Sequence, residues 1–146
     1  MRALIAVDGS APSIDAARRA SRLFGAAAEV TVLHVLEPLV ASVTGRIGDP
    51  MTYQRIAETS EDTAERALDA AVDAVGGRAD RRRVSGMDAG PVICEVAREV
   101  GADVIAVGSR GAGGIRRALT GSTSLHVVNN APCPVLVVRE GGPDAC

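Results

Sequence analysis

Short apolar runs alternate with longer amphipathic stretches along this chain, and this alternation constrains the fold more than any other feature. Runs rich in β-branched and aliphatic residues occupy 2–7, 29–36, 103–107 and 134–138, and a weaker one occupies 82–85. Short continuous apolar runs that are bounded by turn residues indicate buried strands. We therefore predict five strands at these positions.

Segments with a helical spacing of apolar residues fill the intervals between the strands. We predict helices over 12–24, 52–75, 91–100 and 121–129, and a loop with little regular structure over 38–51. This β-α alternation is typical of an α/β fold in which a parallel sheet carries helices on both faces. We expect an open, Rossmann-like or flavodoxin-like sheet of five parallel strands.

The length of 146 residues suits one domain, so we treat 1–146 as a single unit whose last residues, 141–146, form a frayed tail. Only Phe24 and Tyr53 are aromatic. A core of Val, Ile, Leu and Ala suits parallel strands under alanine-rich helices. We predict the strand order 3-2-1-4-5, with a switch point between the first and fourth strands, where ligands of such sheets bind.

The charged residues exclude several classes of function. A net charge of −2 argues against nucleic-acid binding, because nucleic-acid-binding domains are usually strongly basic. All sixteen basic residues are arginine, and the chain contains no lysine. A Walker-type loop, which requires a lysine, is therefore impossible, and so is Schiff-base chemistry. We interpret the one dense basic cluster, Arg81-Arg82-Arg83, as a solvated lead-in to the third strand.

Cysteine usage and hydropathy predict a soluble cytoplasmic protein without a membrane partner. Cys94, Cys133 and Cys146 form neither a C-x-x-C pair nor a secreted disulfide framework, and Cys94 falls in a helical apolar pattern that favours burial. No leader-like segment opens the sequence, and no run approaches the ~18 apolar residues of a membrane span.

Two loops meet at the predicted switch point. The first is Asp8-Gly9-Ser10, and the second is Gly108-Ser109-Arg110-Gly111, which leads to Gly121-Ser122 with the spacing G-x2-G-x9-G-S. Glycines let the backbone approach a phosphate closely, and a helix N-terminus offers unpaired N–H groups to an anion. Backbone amides and hydroxyls, including that of Ser124, can thus hold phosphate without lysine.

Several residues keep more than one interpretation. Arg110, Arg116 and Arg117 bring positive charge near the second loop, but the sequence does not say which of them faces a ligand. Asp8 fits either a ligand contact or a cap on the helix that begins near Pro12, and Ser10 or Ser13 could also cap that helix. Asp88 has the character of a turn or cap residue.

The two histidines favour structural over catalytic positions. We expect His34 to pack within its strand and His126 to lie on an exposed helix face. Their unrelated settings support no Ser-His-Asp or Cys-His arrangement, and no spacing suggests a structural zinc site.

The chain resembles the universal stress protein family over nearly its whole length. The resemblance runs from Ile5-Ala6-Val7-Asp8-Gly9-Ser10 to the segment Ala131-Pro132-Cys133-Pro134 and the strand that follows. Its most specific stretch extends from Gly101-Ala102-Asp103 through Gly121-Ser122. In that family, the spacing G-x2-G-x9-G-[ST] marks the members that bind ATP. Leu125-His126 departs from the charged pair that family members often carry there.

The resemblance implies a role for each matching residue. Asp8 would lie near the ribose and phosphates and help to hold a divalent cation, Mg²⁺, with Gly9 and Ser10 in the turn beside it. The backbone of Val35 would contact adenine. The phosphates would be cradled by the second loop and the helix start, which comprise Gly108, Ser109, Arg110, Gly111, Gly121, Ser122, Thr123 and Ser124.

Three functions remain open from the sequence. The first is an ATP-binding regulatory or stress-response protein. The second is an enzyme, either a slow ATPase or a phosphoryl- or adenylyl-transferring domain, although no general base is evident. The third is a structural homodimer, because the apolar strand 134–138 lies at a sheet edge, where family members commonly pair.

Overall fold

The computed structural model describes residues 1–37, 50–109 and 121–139, and for 50–57 it describes the backbone alone. None of the helices in these ranges is long and apolar enough to cross a membrane. In chain order, the elements are β1 (Arg2–Val7), α1 (Ala11–Phe24), β2 (Glu29–Leu36), α2 (Pro50–Ala74), β3 (Asp80–Ser85), α3 (Ala89–Val100), β4 (Val104–Gly108), α4 (Ser122–Asn130) and β5 (Val135–Val138).

The five strands form one parallel sheet in the order β3-β2-β1-β4-β5, which confirms the predicted fold class and strand order. β1 lies at the centre, with β2 on one side and β4 on the other. From β1 to β3 the chain adds strands on one side of the sheet, and β4 and β5 are added on the other side. The switch point is therefore the gap between β1 and β4. The switch point lies where the sequence predicts it.

Successive residues of the central strands point to opposite faces of the sheet, and each face packs under two helices. Leu4, Leu33 and Ile105 lie in a cluster with residues of α3 and α4, whereas Ile5 and Val32 lie in a cluster with residues of α1 and α2. The fully buried side chains are aliphatic, as the near absence of aromatic residues predicts. Cys94 is buried in the α3 side of this core, as expected.

Helix α3 begins two residues before the predicted start at Pro91 because a cap lies further upstream. Asp88 is the N-cap, and its side chain accepts a hydrogen bond from the Gly90 N–H at 3.1 Å. Pro91 thus falls in the first turn, where a helix makes no use of the N–H that proline lacks. Gly101 ends the helix in the left-handed conformation, with φ of 61°.

The third strand is longer than predicted and contains the arginine cluster. β3 begins at Asp80, where it pairs with Thr31 of β2, so the arginines lie within the strand instead of leading into it. Arg81 forms ion pairs with Glu65 at 2.6 Å and Asp69 at 3.0 Å, both on α2. These exposed pairs join an edge strand to its neighbouring helix and cover the edge with charge.

Candidate functional site

The parallel register brings the carboxyl ends of three strands to one edge of the sheet. Val7 pairs with His34 across β1 and β2, and Ala6 pairs with Val107 across β1 and β4. Beyond these pairs the strands end close together. β1 ends at Val7 itself, β4 ends one residue after Val107, and β2 ends two residues after His34. The predicted site residues that this register places at the edge are Asp8, Val35, Gly108 and Ser109.

The turn after β1 is held by its own side chains. Asp8 Oδ1 accepts hydrogen bonds from the Ser10 N–H at 2.9 Å and from the Ser10 hydroxyl at 2.6 Å. Ser10 is the N-cap of α1, and its Oγ accepts a hydrogen bond from the Ser13 N–H at 3.3 Å. Asp8 therefore supports the capping residue instead of capping α1 itself.

Ser13, which could also cap α1 by residue type, is instead a buried member of this turn. Its hydroxyl donates to the Ser10 carbonyl at 2.9 Å and accepts from the Asp8 N–H at 3.3 Å. The spacing Ser10-x-x-Ser13 at the start of a helix is typical of such bonds between side chain and backbone. Together these bonds fix the direction in which the chain passes from β1 to α1.

Gly9 occupies a position that only glycine fits comfortably. Its φ is +84°, and a Cβ atom built there would lie 3.0 Å from the Ala67 Cβ of α2. Both the left-handed backbone and the close approach of the helix disfavour a side chain. The turn beside Asp8 is thus packed directly against α2.

The turn after β4 lies next to the beginning of α4. Ser109 is buried, and its N–H donates to the Val138 carbonyl of β5 at 2.8 Å. The Gly121 N–H donates to the Ser109 carbonyl at 2.9 Å, so the chain returns to Ser109 before α4 starts. The two ends of the glycine-spaced segment therefore meet at the switch point.

Helix α4 begins at this place without a side-chain cap. Its N-cap is Gly121, with φ of −64° and ψ of 162°, and no side chain at that position accepts a bond from the first turn. Ser122 is exposed, and Thr123 is half-buried. Ser124 is buried, and its hydroxyl donates to the Gly121 carbonyl at 2.9 Å. The N–H groups of a first helical turn have no partner within the helix and suit an anion.

Some predicted site residues fall outside the part of the chain that the structure describes. Arg110 and Gly111 belong to this group, and so do Arg116 and Arg117. Most of the predicted loop 38–51 and the predicted tail also lie there, although Pro50 and Met51 already belong to α2.

His34 packs inside the sheet as predicted. It is buried, and its Nδ1 lies 3.1 Å from the Val7 carbonyl oxygen, which makes Nδ1 the protonated nitrogen. Burial lowers the pKa of His34, although the contact with Val7 and the negative charge of Asp8 act in the opposite direction. The ring is therefore neutral at pH 7 and holds the end of β1 to β2.

The exposed position predicted for His126 is wrong. Its side chain is half-buried against Gly90 of α3, and a Cβ atom at Gly90 would lie 2.8 Å from the His126 Cβ. A glycine on the facing helix leaves room for the ring, and sequence patterning within α4 alone cannot reveal such a partner.

Asp8 is the carboxylate that the register places beside Ser109, in the turn after β4. Within the described ranges, no group of three or more His, Cys, Asp or Glu residues could hold a metal ion. A magnesium ion suits such a place when it takes one carboxylate from the protein and its other ligands from phosphate and water. One carboxylate at the switch point is consistent with that coordination habit.

Comparison with known proteins identifies the family. The model of the universal stress protein family matches residues 1–139. The chain belongs to this family. A putative universal stress protein of Staphylococcus epidermidis is 32% identical over 140 residues, which cover 93% of this chain and 82% of the relative. A universal stress protein of Thermus aquaticus is 34% identical over 142 residues, covering 93% and 96%.

Solved structures share the fold of this universal stress protein. The hypothetical protein MJ0577 matches with a TM-score of 0.79 at 22% identity, covering 97% of this chain and 96% of its own. A universal stress protein in complex with cAMP matches with a TM-score of 0.66 at 25% identity, covering 97% and 98%. A universal stress protein family protein from Arabidopsis thaliana with AMP bound matches with a TM-score of 0.65 at 18% identity. The match covers 100% of this chain and 95% of the other.

Proposed function

We propose that this universal stress protein binds an adenine nucleotide, ATP together with Mg²⁺, and acts as a nucleotide-dependent regulatory protein in the cytoplasm. One observation carries the proposal. The uncapped N-terminus of α4 is brought back to Ser109, at the switch point of a parallel sheet. This is the place where α/β sheets bind ligands, and the helix start provides the electrostatic conditions for phosphate.

The phosphates would lie against the β4–α4 segment. The absence of lysine from the chain requires backbone amides, hydroxyls and arginine to supply the contacts. Exposed Ser122 offers a hydroxyl beside the amides of the first turn. The residues that we assign to the phosphate cradle are Gly108, Ser109, Arg110, Gly111, Gly121, Ser122, Thr123 and Ser124.

The nucleoside would lie across the ends of β1 and β2. We assign the contact with adenine to the backbone of Val35, and the neighbourhood of the ribose and phosphates to Asp8, Gly9 and Ser10. Asp8 would also provide the protein's carboxylate ligand to Mg²⁺. The register that places Asp8 and Val35 on one edge supports this arrangement.

A relative of known structure also supports the choice of ligand class. The universal stress protein that was solved with cAMP covers nearly this whole chain at 25% identity. Its ligand contains the adenine, ribose and phosphate groups for which the assigned residues would provide contacts.

The proposal predicts that the purified protein binds ATP in the presence of Mg²⁺. Isothermal titration calorimetry should give a dissociation constant below about 1 mM, equivalent to roughly 4 kcal/mol of binding free energy. Release of phosphate in the same samples measures turnover, which we expect to be near zero. Folded protein that shows no binding at millimolar ATP would contradict the proposal, and turnover of ~1–1000 per second would favour the enzyme instead.

We also propose a two-fold homodimer through β5. β5 is an edge strand of four aliphatic residues, and it pairs only with β4 among the strands described here. The carbonyls of Pro134 and Val138 accept hydrogen bonds from Ile105 of β4 and from Ser109, the residue after β4. The alternate residues Val135 and Val137 therefore direct their N–H and C=O groups away from β4. An unpaired apolar edge of this kind invites a second strand.

Replacing Val137 with proline should give a monomer, because proline removes an N–H that points toward the second copy. The β4–β5 ladder should survive, since proline is tolerated on the open side of an edge strand. Sedimentation equilibrium at micromolar concentration measures the change. Leu136→Pro is the matched control, because its N–H faces β4 and its loss should destabilise the fold. A wild-type monomer, or a dimeric Val137→Pro variant, would contradict the proposal.

A further inference from the structure

Glu37 connects the end of β2 to a distant helix. It is the first residue after β2, and its side chain is exposed. Its Oε1 nevertheless accepts a hydrogen bond from the Ala89 N–H at 3.0 Å, at the start of α3. A side chain with a purely solvated role would have no such long-range partner.

Helix α3 does not require Glu37 for its ordinary cap. Asp88 already accepts a hydrogen bond from the Gly90 N–H at 3.1 Å. Two carboxylates therefore serve two successive donors of one helix start, where negative charge is favourable. What Glu37 adds is a connection between α3 and β2, which Asp88 does not make.

A second bond strengthens the same connection. The Gly86 N–H donates to the Leu36 carbonyl at 3.0 Å, one residue before Glu37. The start of α3 and the turn before it thus hold two successive residues, Leu36 and Glu37, where the chain leaves β2. Helix α3 is itself anchored, since Gly90 packs against His126 of α4 and Ile93 lies in the core.

We propose that Glu37 is a positioning residue that sets the nucleotide-base end of the site by fixing the backbone that follows Val35. This inference rests on the proposed function. The atoms of Val35 assigned to the base are backbone atoms, so their position depends on how the strand is held on either side. Val35 is held toward β3 by its pairing with Val84, and the Glu37 bond holds the chain where it leaves the sheet.

Glu37→Ala should weaken ATP binding about threefold to fivefold, because the stabilisation that an exposed carboxylate gives a helix N-terminus, expressed as a ratio, is the most that the base end can lose through this bond. The affinity for inorganic triphosphate should not change, since the phosphate cradle lies on β4 and α4. Glu37→Gln keeps an acceptor oxygen and should restore most of the ATP affinity. Asp88→Ala is the matched control. It removes a cap from the same helix and should lower the melting temperature while leaving the ATP affinity within twofold.

Amide hydrogen exchange of the nucleotide-free protein provides a second readout. Exchange at residues 35–37 should be faster in Glu37→Ala than in Asp88→Ala. Unchanged ATP affinity in Glu37→Ala, a parallel loss of triphosphate binding, or equal effects of the two alanine variants would overturn the inference. A wild-type protein that binds no ATP would refute the proposed function, and the role of Glu37 at the base with it. The exchange rates would then show separately whether Glu37 holds the end of β2.

Discussion

Replacing Gly121 with aspartate is expected to abolish ATP binding while leaving α4 folded. Gly121 is the N-cap, and its φ of −64° and ψ of 162° suit any residue. Aspartate is among the best N-cap residues, so the variant should be as stable as the wild type or slightly more stable. A carboxylate beside bound phosphates would repel them strongly, because charges a few ångströms apart interact by several kcal/mol near a protein surface. Calorimetry should show that the affinity for ATP falls by about 100-fold or more.

Gly121→Asn is the control that separates charge from bulk. Asparagine has nearly the same size as aspartate and caps helices equally well, but it carries no charge. We expect it to retain more ATP affinity than the aspartate variant by about tenfold or more. The dimer should persist in both variants, because β5 is unchanged. Equal ATP affinity in the aspartate variant and the wild type would place the phosphates elsewhere.

Replacing Gly9 with alanine is expected to lower the free energy of unfolding by about 2–5 kcal/mol. A left-handed backbone costs an ordinary residue about 1–2 kcal/mol. The new methyl group would add overpacking of about 1–3 kcal/mol, since its nearest neighbour, the Ala67 Cβ, lies at 3.0 Å. Urea denaturation followed by circular dichroism measures the change. ATP binding should weaken as well, because the turn carries Asp8 and Ser10.

Two comparisons resolve the causes of this loss. Gly25 also has a positive φ, of 79°, with ψ of 168°, but a Cβ atom there would meet nothing within 4 Å, so Gly25→Ala should cost only the backbone strain of about 1–3 kcal/mol. In an Ala67→Gly background, the cost of Gly9→Ala should decrease by about 1 kcal/mol, because the contact is removed. If Gly9→Ala costs no more than Gly25→Ala, and the Ala67→Gly background changes nothing, the close packing of the turn against α2 would be refuted.

The local features of the site could be predicted because each of them is encoded within a few residues. The apolar run of β1 followed by Asp8-Gly9-Ser10 predicts a strand, a turn and a capped helix, and the structure contains all three. The cap itself is more specific than the sequence indicates. By residue type, Asp8, Ser10 and Ser13 can all serve as caps. Only the hydrogen bonds show that Ser10 caps α1 and that Asp8 and Ser13 bond to it.

Features that depend on a distant partner could not be predicted. The bond from Ala89 to Glu37 joins residues 52 positions apart, and nothing in the local pattern of either residue indicates it. The half-buried position of His126 depends on a glycine of another helix. The start of β3 at Asp80 depends on a ladder with β2, which accepts polar residues because the strand lies at an edge.

The sequence by itself determined the element order, the aliphatic core and the position of the switch point, because hydrophobic periodicity and strand-helix alternation are local properties that restrict the topology strongly. The exclusion of lysine chemistry also follows from composition alone. Only the tertiary structure decided that the Gly121 N–H bonds to Ser109, that α2 packs on Gly9, and that α3 holds the end of β2. The physical reason is that these contacts form between surfaces that meet only after the sheet has assembled.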